Sequence, residues 1–435
     1  MNIGFVSLGC SKNLIDTESM IALVKEAGYT VVSEKEEADI IIINTCGFID
    51  DAKEEAINEI LETAQYKEGR LKKLIVTGCL AQRYSKEIEA ELPEVDKIVG
   101  IGSFQDIVKI IEEEGKLFID DVETRYKELD RVRSTPPYTA YLKIAEGCDN
   151  HCTYCAIPAI RGKYRSRKME DILAEAEKMV AEGVSEINII AQDTTRYGID
   201  LYGESKLAEL MDKLAKLDFK RIRVLYTYPE LISDKLIDVF LNNDNIVKYF
   251  DIPLQHISDG VLKRMGRQSN KESTYALIDK IRNKVPGVTL RTSLMVGFPG
   301  ETEQDFEELC EFVKHARFDR MGVFRYSREE GTPAYRLPGQ LDEEIKQSRY
   351  DTLMSIQNEI SAQANSLMTG KVVEVLVEGF TDDYLYVGRS AADAPEIDGN
   401  VYFGSEREIA PGEYVMVKIL GAEEYDLMGE EEKGR

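Results

Sequence analysis

The sequence predicts an α/β protein in three parts: an N-terminal parallel α/β sheet domain, a central (βα)6 partial barrel and a small antiparallel β-barrel. Three observations predict it. Short, continuous apolar runs alternate with helical patterns near the N-terminus, as buried parallel strands do. Further strand–helix repeats follow from Tyr141. The tail then switches to brief runs broken by Gly, Asp and Pro, the pattern of a small antiparallel barrel. A chain of 435 residues is also too long for one ordinary core.

In the first part, residues 3–8, 40–43 and 74–77 read as strands, and 14–27, 52–64 and 85–92 as helices. The charged stretch 120–133, followed by Pro136-Pro137, reads as a linker. Central strands fall at 141–145, 186–191, 221–226, 247–252, 289–296 and 321–326, separated by helices that include 169–181, 206–215, 234–241, 273–284 and 305–315. Repeats of this kind build an open or partial barrel of parallel strands, with its active site at the C-terminal strand ends. A polar helix over 343–367 leads to tail strands at 372–377, 384–387, 401–403 and 414–420. The expected domains are 1–118, 134–366 and 368–435.

Composition narrows the class. Hydrophobic content of 43% and charged content of 31% are those of a soluble globular protein. No apolar run reaches the roughly 18 to 20 residues that span a bilayer. The first ten residues lack the basic region of a signal peptide. Leu8-Gly9-Cys10 resembles a lipoprotein cleavage site only superficially, because the flanks are missing. A cytoplasmic location is expected. Seven cysteines, an odd number, then point to metal ligands or reduced core residues rather than disulfides. The net charge of −25 repels nucleic acid and attracts basic partners.

Glu146-Gly147-Cys148-Asp149-Asn150-His151-Cys152-Thr153-Tyr154-Cys155 contains CxxxCxxC at the end of the first barrel strand. Three thiolates this close can wrap one metal centre. A four-iron cubane held by three leaves one iron open, and an open iron can bind a substrate. A structural zinc site with His151 as fourth ligand is the alternative. Zinc knuckles usually pair two ligand duplets, however, and no second duplet follows. On this spacing the central part resembles the radical S-adenosylmethionine (radical SAM) superfamily. There the open iron chelates the amino and carboxyl groups of SAM, whose reductive cleavage gives a 5′-deoxyadenosyl radical.

The other strand ends supply candidates for SAM contact. Gln192 lies in Ile190-Ala191-Gln192-Asp193 after the second strand, Gln255 in Leu254-Gln255-His256 after the fourth, and Gly297 in Val296-Gly297-Phe298-Pro299-Gly300-Glu301 after the fifth. Each segment also reads as an ordinary turn, and His256 equally as a hydrogen-bonded core residue. Arg161, Lys163, Arg165 and Arg167 form a basic run after the cysteines. It could neutralise a cluster, the SAM carboxylate or an anionic substrate, or be a solvated loop; Arg165 is the SAM-contact candidate. No catalytic residue beyond the cluster ligands stands out.

Cys10, Cys46 and Cys79 are 36 and 33 residues apart, about one βα unit each. Each ends the same pattern of apolar strand, small polar step and cysteine. In a parallel sheet all three emerge on one C-terminal edge, where ligands of such folds bind. This predicts a second three-thiolate site, against the alternative of three buried cysteines. Cys310 sits in a helical pattern and reads as core.

With both cysteine sets, the chain resembles the methylthiotransferase family of radical SAM enzymes over essentially its full length, the tail resembling a TRAM domain. The resemblance implies two [4Fe-4S] clusters. One, on Cys148, Cys152 and Cys155, would generate the radical. The other, on Cys10, Cys46 and Cys79, would hold or supply the inserted sulfur, and a second SAM would supply the methyl group.

Two branches of that family differ in substrate: an isopentenylated adenosine of tRNA, or the β-carbon of an aspartate in small-subunit ribosomal protein S-twelve (the RimO branch). Segments 7–14, 161–167 and 393–399 resemble the second branch, whereas the first typically carries a Gln-Met-Asn-like segment where this chain has Ser11-Lys12-Asn13. From Lys371 to Arg435 there are 16 acidic and six basic residues, a net of −10. A module that grips tRNA should be basic, so this tail suits a basic ribosomal protein better, unless the charge only solubilises the surface. The expected partner is ribosomal protein S-twelve. A membrane or tRNA is not expected, and the sulfur and electron donors are unidentified. The tRNA-modifying relative is the first alternative, and a non-catalytic iron–sulfur electron carrier or RNA-binding module the second.

Overall fold

The computed structural model describes residues 1–122 and 128–432. Residues 123–127 of the expected linker lie outside the described part. The first sheet has six parallel strands: β1 (Asn2–Ser7), β2 (Thr30–Val32), β3 (Ile40–Thr45), β4 (Lys73–Gly78), β5 (Lys97–Val99) and β6 (Leu117–Phe118), in the order β2-β1-β3-β4-β5-β6. Strand β3 is buried throughout, because helices cover both faces of the sheet. Its main helices are α1 (Ser11–Glu26), α2 (Asp50–Ala64), α3 (Cys79–Arg83), α4 (Ser85–Glu91) and α5 (Ile107–Glu112). The strands expected at 3–8, 40–43 and 74–77 are present within a residue or two. The short β2, β5 and β6 carry too few residues to announce themselves.

The central barrel begins with β7 (Thr139–Lys143) and the small antiparallel pair β8 (Ala145–Glu146) and β9 (Arg165–Ser166), which brackets the cysteine loop. Parallel strands β10 (Glu186–Ile190), β11 (Arg221–Val224), β12 (Tyr249–Gln255), β13 (Thr289–Val296) and β14 (Arg320–Arg325) follow. They form two three-stranded sheets, β11-β10-β7 and β12-β13-β14. The sheets meet at one bridge, Ile222 to Ile246, and at the bond from Thr227 N–H to Asp251 O (2.9 Å). Helix α6 (Ile157–Arg161) follows the cysteine loop, and the further helices are α7 (Met169–Ala181), α8 (Ile199–Tyr202), α9 (Leu207–Leu214), α10 (Asp234–Asn242), α11 (Asp259–Arg264), α12 (Lys271–Lys284) and α13 (Glu303–Ala316). Reciprocal capping boxes start α12 at Asn270/Ser273 and α13 at Thr302/Asp305. Helix α14 (Glu343–Ser366) leads into the tail.

The tail is a closed five-stranded barrel: β15 (Val372–Phe380), β16 (Tyr386–Arg389), β17 (Val401–Gly404), β18 (Tyr414–Ala422) and β19 (Leu427–Glu431). Its closing strand, β19, pairs parallel to β17 and antiparallel to β18. Segment 390–398 seats at the N-terminal end of the central barrel. Asp393 accepts Arg320 (2.6 Å), Asp398 accepts the Tyr249 hydroxyl (2.6 Å), and Ala394 is buried in a cluster that includes Tyr141 and Tyr249. The opposite, C-terminal end of the strands meets α1 and the sheet edge that carries three cysteines. No helix among the described residues is long and apolar enough to cross a membrane.

Candidate active site

Three adjacent strands of the N-terminal sheet, β1, β3 and β4, each end at a cysteine. Cys10 is the N-cap residue of α1, Cys46 follows β3 and Cys79 opens α3. Gly9 lets the chain turn here: its φ is +89°, and a Cβ at that point would lie 2.7 Å from Cys46 Cβ. Cys10 is exposed, Cys46 half-buried and Cys79 buried. Burial pushes the Cys79 thiol up to about 12, with the neighbouring thiols adding to the rise and the Arg161 guanidinium opposing it. Burial also raises Cys46, whose sulfur accepts the backbone N–H groups of Phe48 and Gly47.

The second set lies in the loop between β8 and α6. The loop is pinned at its base by Cys148 N–H to Gly162 O (3.1 Å) and at its apex by Thr153 N–H to Met265 O (2.9 Å). Asn150 N–H and Ile157 N–H each donate to a sulfur at 3.4 Å, on Cys148 and Cys155 respectively. Arg267 Nη1 lies 4.0 Å from Cys152 Sγ. Burial pushes Cys148 to about 12 and Cys155 well above the usual thiol range. Donors aimed at sulfur and a nearby cation are what thiolate ligands need when their charge is taken out of water.

Among the described residues no three His, Cys, Asp or Glu side chains close around a single-ion position. The thiolates of a cubane sit on separate irons and stand wider than the ligands of one zinc ion. His151 is exposed rather than turned into the loop. The donor set fits a cluster better than a zinc tetrahedron.

The two sets meet across α6. Cys79 is buried in one cluster with Ile160 of that helix and Ala156 at its N-cap. Arg161, at its end and 1% exposed, donates to Asp16 Oδ2 (3.0 Å), Glu146 Oε1 (3.0 Å) and Asn13 Oδ1 (2.5 Å). Lys143 completes the network, donating to Asp16 (2.8 Å) and Glu146 (3.0 Å). Burial alone would raise the Glu146 carboxyl, but Arg161 and Lys143 hold it well below the usual carboxylate range. Asn13 Oδ1 also lies 3.7 Å from Cys79 Sγ. Of the charged residues in this network, sequence reasoning gave a role only to Arg161. Asp16, Lys143 and Glu146 look like ordinary surface charges until two domains bury them together.

The four candidates for SAM contact fall in two places. Gln192 Nε2 donates to Glu146 Oε1 (2.7 Å), while its Oε1 is buried without a partner among the described residues. Arg165 pairs with Glu146 in the β8–β9 register, and its Nε and Nη1 are likewise buried without a described partner. Both therefore flank the cysteine network. Gln255 ends β12 with φ +69°, a strained conformation for a residue other than glycine. Gly297 has φ +75°, and a Cβ there would lie 2.3 Å from Lys346 Cγ, so the lysine stem of α14 fills the space beside it. His256 is a buried neutral imidazole whose Nδ1 accepts Ser258 N–H (3.0 Å), and burial lowers it to about 3.

Comparison with known proteins adds three matches along the chain: Uncharacterized protein family UPF0004 over residues 2–100, the Radical SAM superfamily over 142–313 and the TRAM domain over 369–431. A Clostridioides difficile (strain 630) protein named ribosomal protein uS12 methylthiotransferase RimO is 53% identical over 99% of this chain and 98% of its own. One of the same name from Thermoanaerobacter sp. (strain X514) is 51% identical over 99% of each. Among solved structures, the radical S-adenosylmethionine methyltransferase TsrM from Kitasatospora setae, with cobalamin and a [4Fe-4S] cluster bound, shares the fold at TM-score 0.57. It is 11% identical and covers 77% of this chain and 73% of that one.

Proposed function

The chain belongs to the ribosomal protein uS12 methylthiotransferase (RimO) family, and from that membership we propose that it attaches a methylthio group to the β-carbon of an aspartate in uS12. The observation that carries the reading is the meeting of two three-cysteine sets across the buried Arg161. Cys148, Cys152 and Cys155 would hold one [4Fe-4S] cluster, and Cys10, Cys46 and Cys79 the other. When bound, the first supplies the electron that cleaves SAM and the second an open iron for the sulfur.

The chain's own residues do the rest. The N–H groups of Asn150 and Ile157 fix two sulfurs of the barrel loop. Arg161 and Lys143 neutralise Asp16 and Glu146, which would otherwise face thiolates in a dry interface. Gln192 and Arg165 offer buried, uncommitted polar atoms beside the loop, suited to the amino-acid end of SAM. The C-terminal barrel, with its net −10, favours a basic protein over phosphate-rich RNA.

The test is anaerobic incubation of iron-reconstituted protein with dithionite, sulfide and SAM, offered uS12 and tRNA in parallel. Mass spectrometry should find one sulfur and one methyl added to an aspartate of uS12 and nothing on tRNA. Modified tRNA with unmodified uS12 would overturn the substrate, and no 5′-deoxyadenosine would overturn the reaction class.

A further inference from the structure

Lys12 lies in the first turn of α1, two residues after Cys10 and next to Asn13, which ties Arg161 to the Cys79 region. Its side chain reaches from the N-terminal domain across to the central barrel. The residue is 7% exposed, and its ammonium sits 3.2 Å from the centroid of the Tyr226 ring. Tyr226 follows β11 at the C-terminal end of the barrel, in a left-handed conformation with φ +60°. Its backbone N–H donates to Asp251 Oδ2 (2.8 Å), which fixes the main chain that carries the ring.

An ammonium drawn this far out of water needs compensation, and an aromatic face returns only part of it. Two carboxylates on the elements packed here are already matched. Asp251 is paired with Arg291 (2.7 Å), and Asp16 with Lys143 and Arg161. Among the described residues no carboxylate pairs with Lys12. Ile15, one turn along the helix, is buried in one cluster with Tyr141, Ile190 and Leu225, against which the Tyr226 ring packs, so the ammonium has apolar neighbours on that side. The result is a single uncommitted positive charge at the barrel mouth, between the cysteine set that would hold sulfur and the strand ends where the radical would form.

We propose that Lys12 is a specificity residue whose ammonium, held over the Tyr226 ring, pairs with the side-chain carboxylate of the target aspartate. The pairing fixes the carboxylate and so places the adjacent β-carbon between the two cysteine sets. It also selects an acidic side chain over its amide, which offers no charge to the ammonium. This assignment rests on the reading of uS12 aspartate as the substrate.

The experiment compares uS12 with its variant carrying Asn at the modified aspartate. Binding to anaerobic, iron-reconstituted protein is measured by fluorescence anisotropy without reductant, so that no turnover intervenes. The unsubstituted enzyme should bind the Asp form about 30-fold more tightly than the Asn form, as expected for a charge-assisted contact. Lys12→Met should bring that ratio close to one, and Lys12→Arg should keep most of it. Iron content and SAM affinity are measured on each variant. A full Asp-over-Asn preference in Lys12→Met, with uS12 still modified by the unsubstituted enzyme, overturns the role of Lys12 and leaves the function standing. A preference left intact but SAM binding weakened also overturns it, and gives the ammonium to SAM instead. If Lys12→Met loses iron, Lys12→Gln and Lys12→Arg decide, since the preference must follow the charge. Failure of the unsubstituted enzyme to modify uS12 at all overturns the function, and this assignment with it.

Discussion

Arg161 and Asp16 are 145 residues apart in sequence, yet Nη1 of one donates to Oδ2 of the other at 3.0 Å. Arg161 sits at the end of the helix after the barrel cysteines, and Asp16 on the helix that starts at Cys10. This ion pair fixes the approach of the two cysteine sets. Both partners are nearly solvent-free, and a buried pair of this kind is costly to break from one side.

Arg161→Met should therefore do more than remove a charge. Asp16 and Glu146 would share only Lys143, and Asn13 would lose the donor that orients it beside Cys79. The expected loss of stability is about 3–5 kcal/mol, read from denaturant midpoints under anaerobic conditions. The N-terminal set should suffer first, because Arg161 is the cation beside Cys46 and Cys79. Iron should fall from about eight per chain towards about four. Retention of full iron with normal stability would contradict the bridging role.

The two cysteine sets predict separable defects. Cys148→Ala removes a ligand of the set on the SAM side, so 5′-deoxyadenosine should vanish along with the product. Cys10→Ala touches only the sheet edge. It should retain 5′-deoxyadenosine formation while methylthiolated uS12 disappears. Liquid chromatography of the nucleoside and mass spectrometry of uS12 in one reaction read both outcomes. Equal loss of 5′-deoxyadenosine in the two variants would argue for a single shared centre.

A third expectation concerns how the C-terminal barrel is held. Arg389 reaches Glu186 at the start of β10 with Nη2 to Oε2 at 2.7 Å, and both side chains are almost fully buried. Burial would raise the Glu186 carboxyl, but Arg389, with Arg223 and Arg221 adding to it, outweighs that and holds it at about 2. The folded value lies below the unfolded value of about 4.3, so the unfolded chain binds the proton more readily. Stability from this pair is fully present above about pH 4.3 and lost as pH falls towards 2. Glu186→Gln should lower stability by about 2–4 kcal/mol at pH 7, and the gap to the parent should narrow below about pH 4. Denaturant midpoints at pH 7, 5 and 3 measure it. A gap that stays constant would mean the pair is not the acid-sensitive contact.

How much of this could be read from the sequence depends on how local the cause is. The cysteines were legible because each terminates a strand of one residue pattern, and a parallel sheet puts equivalent ends on one edge. Strands β3 and β13 were legible from their apolar runs. Strand β19 was not: Leu-Met-Gly-Glu-Glu has one buried apolar side chain, and it is a strand only because it fills the gap between β17 and β18. Segment 393–399 stands out in the sequence by its resemblance alone. Its work, seating Asp393 and Asp398 on Arg320 and Tyr249, needs the barrel end to exist first. The same holds for Asp16, Lys143 and Glu146. Their charges matter because they are buried, and burial comes from domains that meet far along the chain. Gly297 has a cause of both kinds: its turn with φ +75° is local, while the stem of Lys346 beside it comes from α14.

Gly147 offers the sharpest separation of local strain from site geometry. It has φ +80°, and a Cβ there would lie 2.1 Å from Lys163 O and 2.6 Å from Gly162 O. Those atoms are backbone of the strand return into β9, which cannot move without breaking the pairing of Glu146 with Arg165. Gly147→Ala should thus displace the residue next to Cys148 and loosen the bond from Cys148 N–H to Gly162 O. Gly183 is the matched control, since its φ of +88° is as unfavourable to alanine but nothing lies within 4 Å of an added Cβ. Gly183→Ala should cost only about 1 kcal/mol of backbone strain and leave iron content and 5′-deoxyadenosine formation intact. Gly147→Ala should cost at least twice that and lose the iron of the barrel set with its SAM cleavage, as iron assay and nucleoside chromatography will read. If the two alanine variants behave alike, the tight return of the chain at Gly162 and Lys163 is not what shapes the cysteine loop.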